Sequence, residues 1–375
     1  MSLRTSSTPR LILDRDRLQA NINRMAKHVG ALGGTLRPHV KTHKSIDVWN
    51  MVRSQGPVRG MTVSTLKEAR YFFDHGEADI FYAVSLAPNK FDEAAALMGA
   101  GCDLKVTIDS VELAKHLAQY EDDRKLDFKI IIELDVDGHR SGVDPRSDTL
   151  LELAKHLQGR LKLLGVMTHA GESYGCRSEV ELKQAAANER DLTVLAADRL
   201  RAAGFGCEVV SIGSTPTITT IDDLTGITEV RPGVYTFFDL VMRGISVCQT
   251  EDIAISVLAS VIGHQRDRNW VITDAGWMAM SRDRGTSNQA IDYGYGQVCD
   301  IDGCPIDGHI VQQANQEHGV VAMADGGEPR WADLPVGAMI RILPNHACAT
   351  AAQYDRFAVL DDGQVTQEWK RISGW

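Results

Sequence analysis

The chain has 375 residues, of which 43% are hydrophobic and 24% charged, a composition typical of a globular protein long enough for two domains. Its formal net charge of -10 at pH 7 argues against nucleic acids or anionic membranes as partners, and no apolar run reaches the roughly 18 to 20 residues that a spanning helix needs. The seven cysteines are scattered and odd in number, and the first residues lack the hydrophobic centre of a signal peptide, so we expect a cytoplasmic protein.

Short β-branched runs alternate with amphipathic helical stretches over the first two thirds of the chain. Eight such runs occur, at residues 35–41, 60–65, 79–85, 103–109, 129–136, 162–170, 207–215 and 229–235. Strand–helix alternation is typical of a parallel sheet, and eight repeats are the number that closes a (β/α)₈ TIM barrel. Polar residues collect where these runs end, as a barrel active site requires. The sequence therefore predicts an α/β protein built on such a barrel.

The pattern changes after about Ile245. Apolar runs at 253–262, 269–274, 308–323 and 338–343 are joined by turns such as Asp302-Gly303, with few helical stretches between them. This pattern predicts a second, mainly antiparallel β domain. We expect residues 14–245 to form the barrel and 246–375 the β domain, with residues 1–13 adding a strand to the latter.

Lys41 lies at the predicted C-terminal end of the first run. A lysine amine becomes a useful nucleophile when its pKa is lowered, and nearby cations lower it. Arg37, His39, His43 and Lys44 are all within four residues of Lys41. The segment is therefore either the site of a Schiff-base lysine that holds an aldehyde cofactor, such as pyridoxal 5'-phosphate (PLP), or a basic surface turn.

Other predicted strand ends carry groups that could contact such a cofactor. Gly213, Ser214 and Thr215 follow the seventh run, where barrels usually bind phosphate, although they could also form an ordinary helix cap. Arg140 follows the fifth run, and a guanidinium facing the pyridine nitrogen would keep that nitrogen unprotonated; the alternative is an ion pair with a nearby aspartate. The remaining candidates are aromatic groups at the ends of the sixth and eighth runs, namely His169, Tyr174 and Tyr235.

His346 and Cys348 form a second candidate site. In an extended segment residues two apart face the same way, so an imidazole and a thiolate could bind one ion together. This donor pair suits zinc, and two protein ligands leave positions for water and substrate. The alternative is a core cysteine beside a chance histidine.

Four motifs follow one another along the chain: RPHVKTHKS around Lys41, GSTPT from Gly213, ExRPGxYxFxD from Glu229 to Asp239, and PNHACAT around His346. As a set they resemble the alanine-racemase-fold PLP lyases of the D-threonine aldolase and D-serine dehydratase family, from residue 8 to the C-terminus. The resemblance implies a homodimer, Lys41 as the Schiff-base lysine, and His346 and Cys348 as ligands of a divalent metal. It also implies phosphate contacts from Ser214 and Thr215, with Arg140 and Tyr174 near the pyridine ring.

The metal segment separates two activities within that family. The resemblance associates His-x-Asp with aldolases that favour a harder ion such as manganese, and His-x-Cys with dehydratases that favour zinc. Cys348 therefore favours a PLP- and metal-dependent dehydratase of D-3-hydroxy amino acids, such as D-serine or D-threo-3-hydroxyaspartate, that releases a keto acid and ammonia. The alternatives are a D-threonine aldolase and, more distantly, an amino-acid racemase. A second substrate carboxylate would need a cation, for which Arg243, Arg282 and Arg284 are candidates.

Overall fold

The protein is represented by a computed structural model that describes residues 2–124 and 126–375. It divides into two compact units. The β unit comprises Met1–Ile22, Thr42–Met51 and Val234–Ser373, and the barrel unit comprises Asn23–Lys41, Val52–Gly233 and Gly374–Trp375. This division differs from the expected barrel of residues 14–245, because residues 14–22, 42–51 and 234–245 belong to the β unit.

Helices and strands alternate in the first part of the chain, and strands dominate the last part. The helices are α1 (Arg15–Ala31), α2 (Ile46–Arg53), α3 (Leu66–Asp74), α4 (Phe91–Gly99), α5 (Val111–Arg124), α6 (Thr149–Lys155), α7 (Glu179–Ala202), α8 (Thr215–Thr220), α9 (Leu240–Gly244), α10 (Trp277–Met280) and α11 (Ala347–Ala351). The strands are β1 (Arg10–Asp14), β2 (Met61–Val63), β3 (Asp79–Ser85), β4 (Asp103–Ile108), β5 (Phe128–Leu134), β6 (Leu161–Thr168), β7 (Val209–Ile212), β8 (Glu229–Val230), β9 (Ile255–Gln265), β10 (Trp270–Thr273), β11 (Gly296–Cys299), β12 (Pro305–Ala314), β13 (Gly319–Met323), β14 (Met339–Pro344), β15 (Arg356–Asp361) and β16 (Gln364–Lys370). No helix among the described residues is both long enough and apolar enough to cross a membrane.

The barrel unit is built on a parallel sheet of seven strands, β2 to β8, which lie side by side in chain order. The first of the eight predicted strands, 35–41, is not a regular strand. It forms isolated parallel bridges, from Leu36 to Val58 and Val230 and from His39 to Thr62. Pro38 explains part of this irregularity, since it has no N–H to donate to a ladder. The predicted eight regular strands are therefore reduced to seven, and segment 35–40 hydrogen-bonds to residues at both edges of their sheet.

The strands of this sheet read as apolar runs because both of their faces are covered. Ile131 on β5 packs with Phe81, Leu164 and Met167 from neighbouring strands. Helix α3 is an example of how the covering helices form. The Thr65 hydroxyl accepts the Glu68 N–H at the N-terminus of the helix, and apolar residues on one face of the helix are buried. The parallel arrangement places the C-terminal ends of all seven strands at one edge.

A chain of ionic contacts links residues near the N-terminal ends of the strands. Arg37 donates from Nε to Glu229 at 2.7 Å and from a terminal nitrogen to Asp79 at 2.7 Å. Lys105 continues the chain by contacting both Asp79 and Asp103. Arg37 and Glu229 are almost completely buried, with side-chain exposures of 4% each. This cluster therefore lies at the N-terminal end of the sheet, where residues stabilise the fold. Barrel active sites lie at the opposite, C-terminal ends of the strands.

The β unit contains a nine-stranded sheet that is antiparallel except for one parallel pair, β1 with β15. Six of its strands, β9, β10, β13, β12, β11 and β14, form a closed ring, because β10 pairs with β9 as well as with β13. Strand β9 is long enough to pair with β14 on one side and with β1 and then β10 on the other. The N-terminal strand β1 thus belongs to this sheet. The mainly antiparallel character predicted for this part of the chain is confirmed.

Candidate active site

Two buried imidazoles share the electrostatic environment of Lys41 in the barrel unit. Burial lowers the pKa of His39 well below its usual value, and the charges of Lys41 and Arg231 lower it further. Burial also lowers the pKa of His169, followed by the charges of Lys41 and Arg140. Both rings are therefore neutral near pH 7. His169 Nδ1 lies 2.9 Å from the Gly213 carbonyl oxygen, so Nδ1 carries the proton and Nε2 remains an acceptor.

Two of the four groups that the sequence suggested as cations around Lys41 are neutral. Both histidines are neutral, since burial lowers the pKa of His43 to about 3 and that of His39 well below its usual value. Arg37 is held in ion pairs with two carboxylates. The prediction that local residues supply the positive charge is therefore wrong for His39 and His43, whereas Arg37 keeps its charge beside two carboxylates. The arginines whose charges act on the same imidazoles as Lys41 are Arg140 and Arg231, more than ninety positions away in sequence.

The predicted phosphate loop is tightly organised. Ser214 caps α8 by accepting the Thr217 N–H, and its own N–H donates to the Thr217 hydroxyl, which forms a capping box. Its hydroxyl also lies 3.0 Å from that of Ser173, and Thr215 Oγ1 accepts the Gly233 N–H at 3.2 Å. Ser214 and Thr215 are thus positioned by neighbouring loops of the barrel unit. The hydroxyl and the N–H of Ser214 therefore both already take part in hydrogen bonds within the protein.

Gly213 is required by the backbone geometry of this loop. Its φ of 141° lies in the region that favours glycine, and a Cβ there would lie 2.7 Å from the Arg231 backbone nitrogen. We expect Gly213→Ala to shift the loop, to cost about 1 to 3 kcal/mol of stability and to weaken PLP binding. Thermal unfolding and a PLP titration would measure both effects. Gly206→Ala is the control, since a Cβ at Gly206 would make only an ordinary contact at 3.4 Å; equal behaviour of the two variants would contradict the prediction.

Arg140 and Tyr174 lie at the same edge of the parallel sheet, on loops that follow β5 and β6. An Arg140 terminal nitrogen is 3.5 Å from a Glu133 carboxylate oxygen, and the Arg140 side chain is 48% exposed. The ionic partner of Arg140 is therefore Glu133, and not the loop aspartate that was the alternative interpretation of the sequence. The Tyr174 ring lies 6.1 Å from the His169 ring, centroid to centroid. Tyr235 is in the β unit, where its side chain is buried and burial raises the pKa of its phenol.

His346 and Cys348 are brought together in the β unit, just after β14. Burial lowers the pKa of His346, but hydrogen bonds to Asp283 and Cys348 outweigh burial and raise it to about 11. The groups that act on the imidazole, Asp283, Cys348 and Asp239, are all acidic. Asp283 Oδ2 lies 2.7 Å from Nδ1, so Nε2 is the ring nitrogen left for a metal. The Thr42 hydroxyl contacts the Cys348 sulfur at 3.2 Å, and Thr42 follows Lys41 directly in the chain.

The donor sets fit the groups that the sequence suggested. Imidazole and thiolate are borderline-soft ligands suited to zinc. Among the described residues, no third His, Cys, Asp or Glu completes a set in which one ligand atom from each residue lies within 4.8 Å of the other two. At the barrel edge, Lys41 supplies an amine, and Arg140 and Arg231 supply positive charge for an anionic cofactor. The first donor set is thus compatible with a divalent metal, and the second is compatible with an anionic aldehyde cofactor.

Three further residues shape these sites and were not recognised from sequence. Arg231 is fully buried and donates to the Ser211 hydroxyl and the Thr168 carbonyl. Burial lowers its pKa to about 10, against the effect of nearby glutamates. Glu189 accepts the Gly213 N–H at 3.1 Å and the Thr217 hydroxyl at 2.6 Å, and these two hydrogen bonds stabilise the predicted phosphate loop. The sequence did contain a signal for Glu189, which is a charged residue on the face of α7 that is otherwise apolar and buried. The third residue is Asp283, and the sequence contained no signal for it, because an aspartate between two arginines resembles a surface charge.

The arginines considered for a second substrate carboxylate each lie against an aromatic ring. Arg282 is 4.6 Å from the Trp277 ring centroid and Arg243 is 5.7 Å from that of Tyr293. Arg284 is paired with Asp292 at 2.8 Å, which already satisfies part of its charge. Arg282 is the most exposed of the three and immediately precedes Asp283 in the chain.

Comparison with known proteins matches both parts of the chain to described families. Residues 13–241 match the alanine racemase N-terminal domain, and residues 254–360 match the putative serine dehydratase domain. D-threo-3-hydroxyaspartate dehydratase of Delftia sp. (strain HT23) is 52% identical to the chain, covering 100% of it and 99% of that enzyme. Its solved structure superposes with a TM-score of 0.97 at full coverage of both chains, and a mutant of it solved in a metal-free form superposes with a TM-score of 0.98.

More distant relatives have related activities. D-serine dehydratase of Dictyostelium discoideum is 28% identical over 98% of this chain and 97% of its own length. A 3-hydroxy-D-aspartate aldolase of Paracoccus denitrificans is also 28% identical, over 96% of this chain and 90% of its own. From the matched domains and these full-length relatives it follows that the chain belongs to the alanine-racemase-fold family of PLP lyases that includes D-threonine aldolase, D-serine dehydratase and D-threo-3-hydroxyaspartate dehydratase.

Proposed function

We propose that this protein is a PLP- and divalent-metal-dependent dehydratase that converts a D-3-hydroxy amino acid to a keto acid and ammonia. The observation that carries the proposal is the His346 and Cys348 pair, set in negative surroundings with Asp283 bound to the outer ring nitrogen. Full-length similarity to D-threo-3-hydroxyaspartate dehydratase supports the same substrate class. We propose D-threo-3-hydroxyaspartate as the preferred substrate and D-serine as a poorer one.

Lys41 is the base in this proposal. PLP, when bound, draws electrons from the α-carbon of the amino acid and makes its proton acidic. The Lys41 amine would remove that proton, and the neutral rings of His39 and His169 add no positive charge of their own beside it. The overall balance is simple: the α-proton and the β-hydroxyl leave as water, and one water returns as the enamine product hydrolyses to keto acid and ammonia. The residues we propose to contact PLP are Lys41, Arg140, His169, Tyr174, Gly213, Ser214, Thr215 and Tyr235.

A metal held by His346 and Cys348 would act as a Lewis acid toward the β-hydroxyl, which is otherwise a poor leaving group. We propose zinc, because a thiolate ligand favours a softer ion than manganese or magnesium. The tautomer of His346 is set for this role, since Asp283 occupies Nδ1 and leaves Nε2 as the donor.

Product analysis separates this activity from its rivals. With D-threo-3-hydroxyaspartate we expect oxaloacetate and ammonia in equal amounts, and with D-threonine 2-oxobutyrate and ammonia. Glycine together with an aldehyde would instead identify a retro-aldol lyase. Appearance of the L-amino acid without ammonia would identify a racemase. Either of these outcomes as the main reaction would overturn the proposal.

Metal removal should inactivate the enzyme. After treatment with a chelator and gel filtration we expect at least about a tenfold loss of ammonia release, because the β-hydroxyl loses its Lewis acid. Added zinc should restore the activity of the wild type but not that of Cys348→Ala. Cys304→Ala is the matched control, since Cys304 is an exposed cysteine in a turn of the same unit. Full activity after chelation would contradict metal dependence.

We further propose a cytoplasmic homodimer, and we propose that segment 35–40 serves as the eighth strand of a (β/α)₈ barrel. All seven cysteines are free, which agrees with a reducing compartment. The hydrogen bonds of residues 36, 37, 39 and 40 to residues at both edges of the parallel sheet support the barrel assignment. Light scattering during size-exclusion chromatography would test the dimer, for which a mass of one 41.1 kDa chain would be the contrary result.

A further inference from the structure

The carboxylate of Asp283 is the least expected feature near the proposed metal ligands. It is 2.7 Å from His346 Nδ1, and its side chain is only 30% exposed. The sequence places it between two arginines, which suggests a solvated surface charge. The structure instead gives it a histidine as its nearest ionic partner.

The chain fixes Asp283 in place by several contacts besides the one to His346. Its backbone N–H donates to the Ser281 hydroxyl at 3.2 Å, and Oδ1 accepts the Gly285 N–H at 2.7 Å. Ser281 itself has a φ of 82°, which is unusual for a residue with a side chain and turns the chain sharply after α10. The carboxylate is thus held in a set orientation, with Oδ2 directed to the imidazole.

Asn345 ties the Asp283 loop to the metal segment. It is nearly inaccessible, and its side-chain amide donates to the carbonyl oxygens of Asp283 at 3.1 Å and Gly294 at 2.7 Å. Because Asn345 immediately precedes His346, one buried side chain fixes the loop against the residue that carries the proposed ligand. On the other side, Asp239 accepts the Ala347 N–H at 2.9 Å. Side-chain hydrogen bonds thus hold both neighbours of His346 in the chain, Asn345 and Ala347.

We propose that Asp283 is a positioning residue that holds the Nδ1–H of His346, presents Nε2 to the metal and makes the imidazole a stronger donor. This inference rests on the proposed metal-dependent function. A carboxylate that accepts the outer N–H of a metal-bound histidine typically changes metal affinity by 10–100-fold. A partly exposed ion pair without a role at the metal would contribute little to stability and would leave metal affinity unchanged. The two roles therefore differ in what they predict for metal binding.

The test is zinc affinity, measured on PLP-loaded, metal-stripped enzyme by competition with a chromogenic chelator. Asp283→Asn keeps the shape of the side chain but removes its charge, and we expect its zinc dissociation constant to rise about 10–100-fold. Asp283→Glu restores the carboxylate and should recover part of the affinity. Asp292→Asn is the control, because Asp292 lies nearby in the chain but pairs with Arg284, and it should bind zinc as the wild type does. The visible absorption of bound PLP and the far-ultraviolet circular dichroism should be the same in all four proteins.

The outcomes distinguish this inference from the function on which it rests. Zinc binding by Asp283→Asn that equals the wild type would overturn the role of Asp283 and leave the metal-dependent function intact. An equal loss of affinity in Asp292→Asn would also overturn it, since the effect would then come from the loop as a whole. If the wild type bound no zinc at all, both proposals would fall. Should Asp283→Asn not fold, the affinity of Asp283→Glu relative to Asp292→Asn decides the question.

Discussion

Replacing Lys41 with alanine should lower ammonia release by at least about 10³-fold, because the variant loses both its cofactor attachment and its base. The visible absorption band of the PLP-loaded enzyme should disappear as well, since no amine remains at that position to bond to the cofactor. The fold should persist: the backbone of segment 35–40 is held by hydrogen bonds that do not involve the Lys41 side chain. Steady-state assays, absorption spectra and circular dichroism of the purified variant measure the three effects.

Lys44→Ala is the matched control for this experiment. Lys44 is three residues further along the same basic segment, and we place it outside the catalytic set. It should keep its absorption band and most of its activity. A Lys41→Ala enzyme that retained both, or a Lys44→Ala enzyme that lost both, would show that the cofactor is attached elsewhere.

The sequence predicted the strands of the parallel sheet well because burial on both faces leaves a strong signal. The run predicted at 79–85 coincides with β3, and those at 103–109 and 129–136 differ from β4 and β5 by only one or two residues. The first and last runs were less accurate. Segment 35–41 forms only isolated bridges, and β8 is only two residues long, Glu229–Val230. Both predicted runs, 35–41 and 229–235, contain a proline, Pro38 and Pro232. Proline has no N–H to donate to a strand ladder, and the apolar pattern of a run does not show this interruption.

The charge states of the candidate site could not be predicted from the sequence. Proximity in the chain suggested that Arg37, His39 and His43 would act as cations toward Lys41. A pKa depends on burial and on partners that are distant in sequence, and those partners are visible only after folding. Glu229 lies 192 residues from Arg37 and pairs with its charge, while burial keeps both histidines neutral. The residue types were informative about the cofactor, whereas the local sequence was misleading about the electrostatics.

Replacing Arg37 with methionine should destabilise the protein by about 3–5 kcal/mol, the typical cost of leaving buried charges without their partner. Methionine fills similar space, so the loss would come from charge rather than from a cavity. Glu229 would lose its 2.7 Å contact with Arg37, and Asp79 would lose the same cation while it keeps its contact with Lys105. Urea unfolding followed by circular dichroism would measure the change. Arg59→Met, at an exposed position nearby, should change the free energy of unfolding by no more than about 0.5 kcal/mol, and equal effects of the two substitutions would contradict the prediction.

The pH dependence of this effect gives a second, independent test. Burial raises the pKa of Asp79, but Arg37 and Lys105 outweigh burial and lower it from 3.8 to about 2. Since the pKa is lower in the folded state, the stabilisation from Asp79 is fully present above about pH 4 and is lost as the pH falls toward 2. Arg37→Met removes the larger part of that shift. The difference in stability between wild type and Arg37→Met should therefore be constant from pH 7 to about pH 5 and shrink below pH 4. A difference that stayed constant down to pH 2 would mean that Arg37 stabilises the fold by packing and not by its charge.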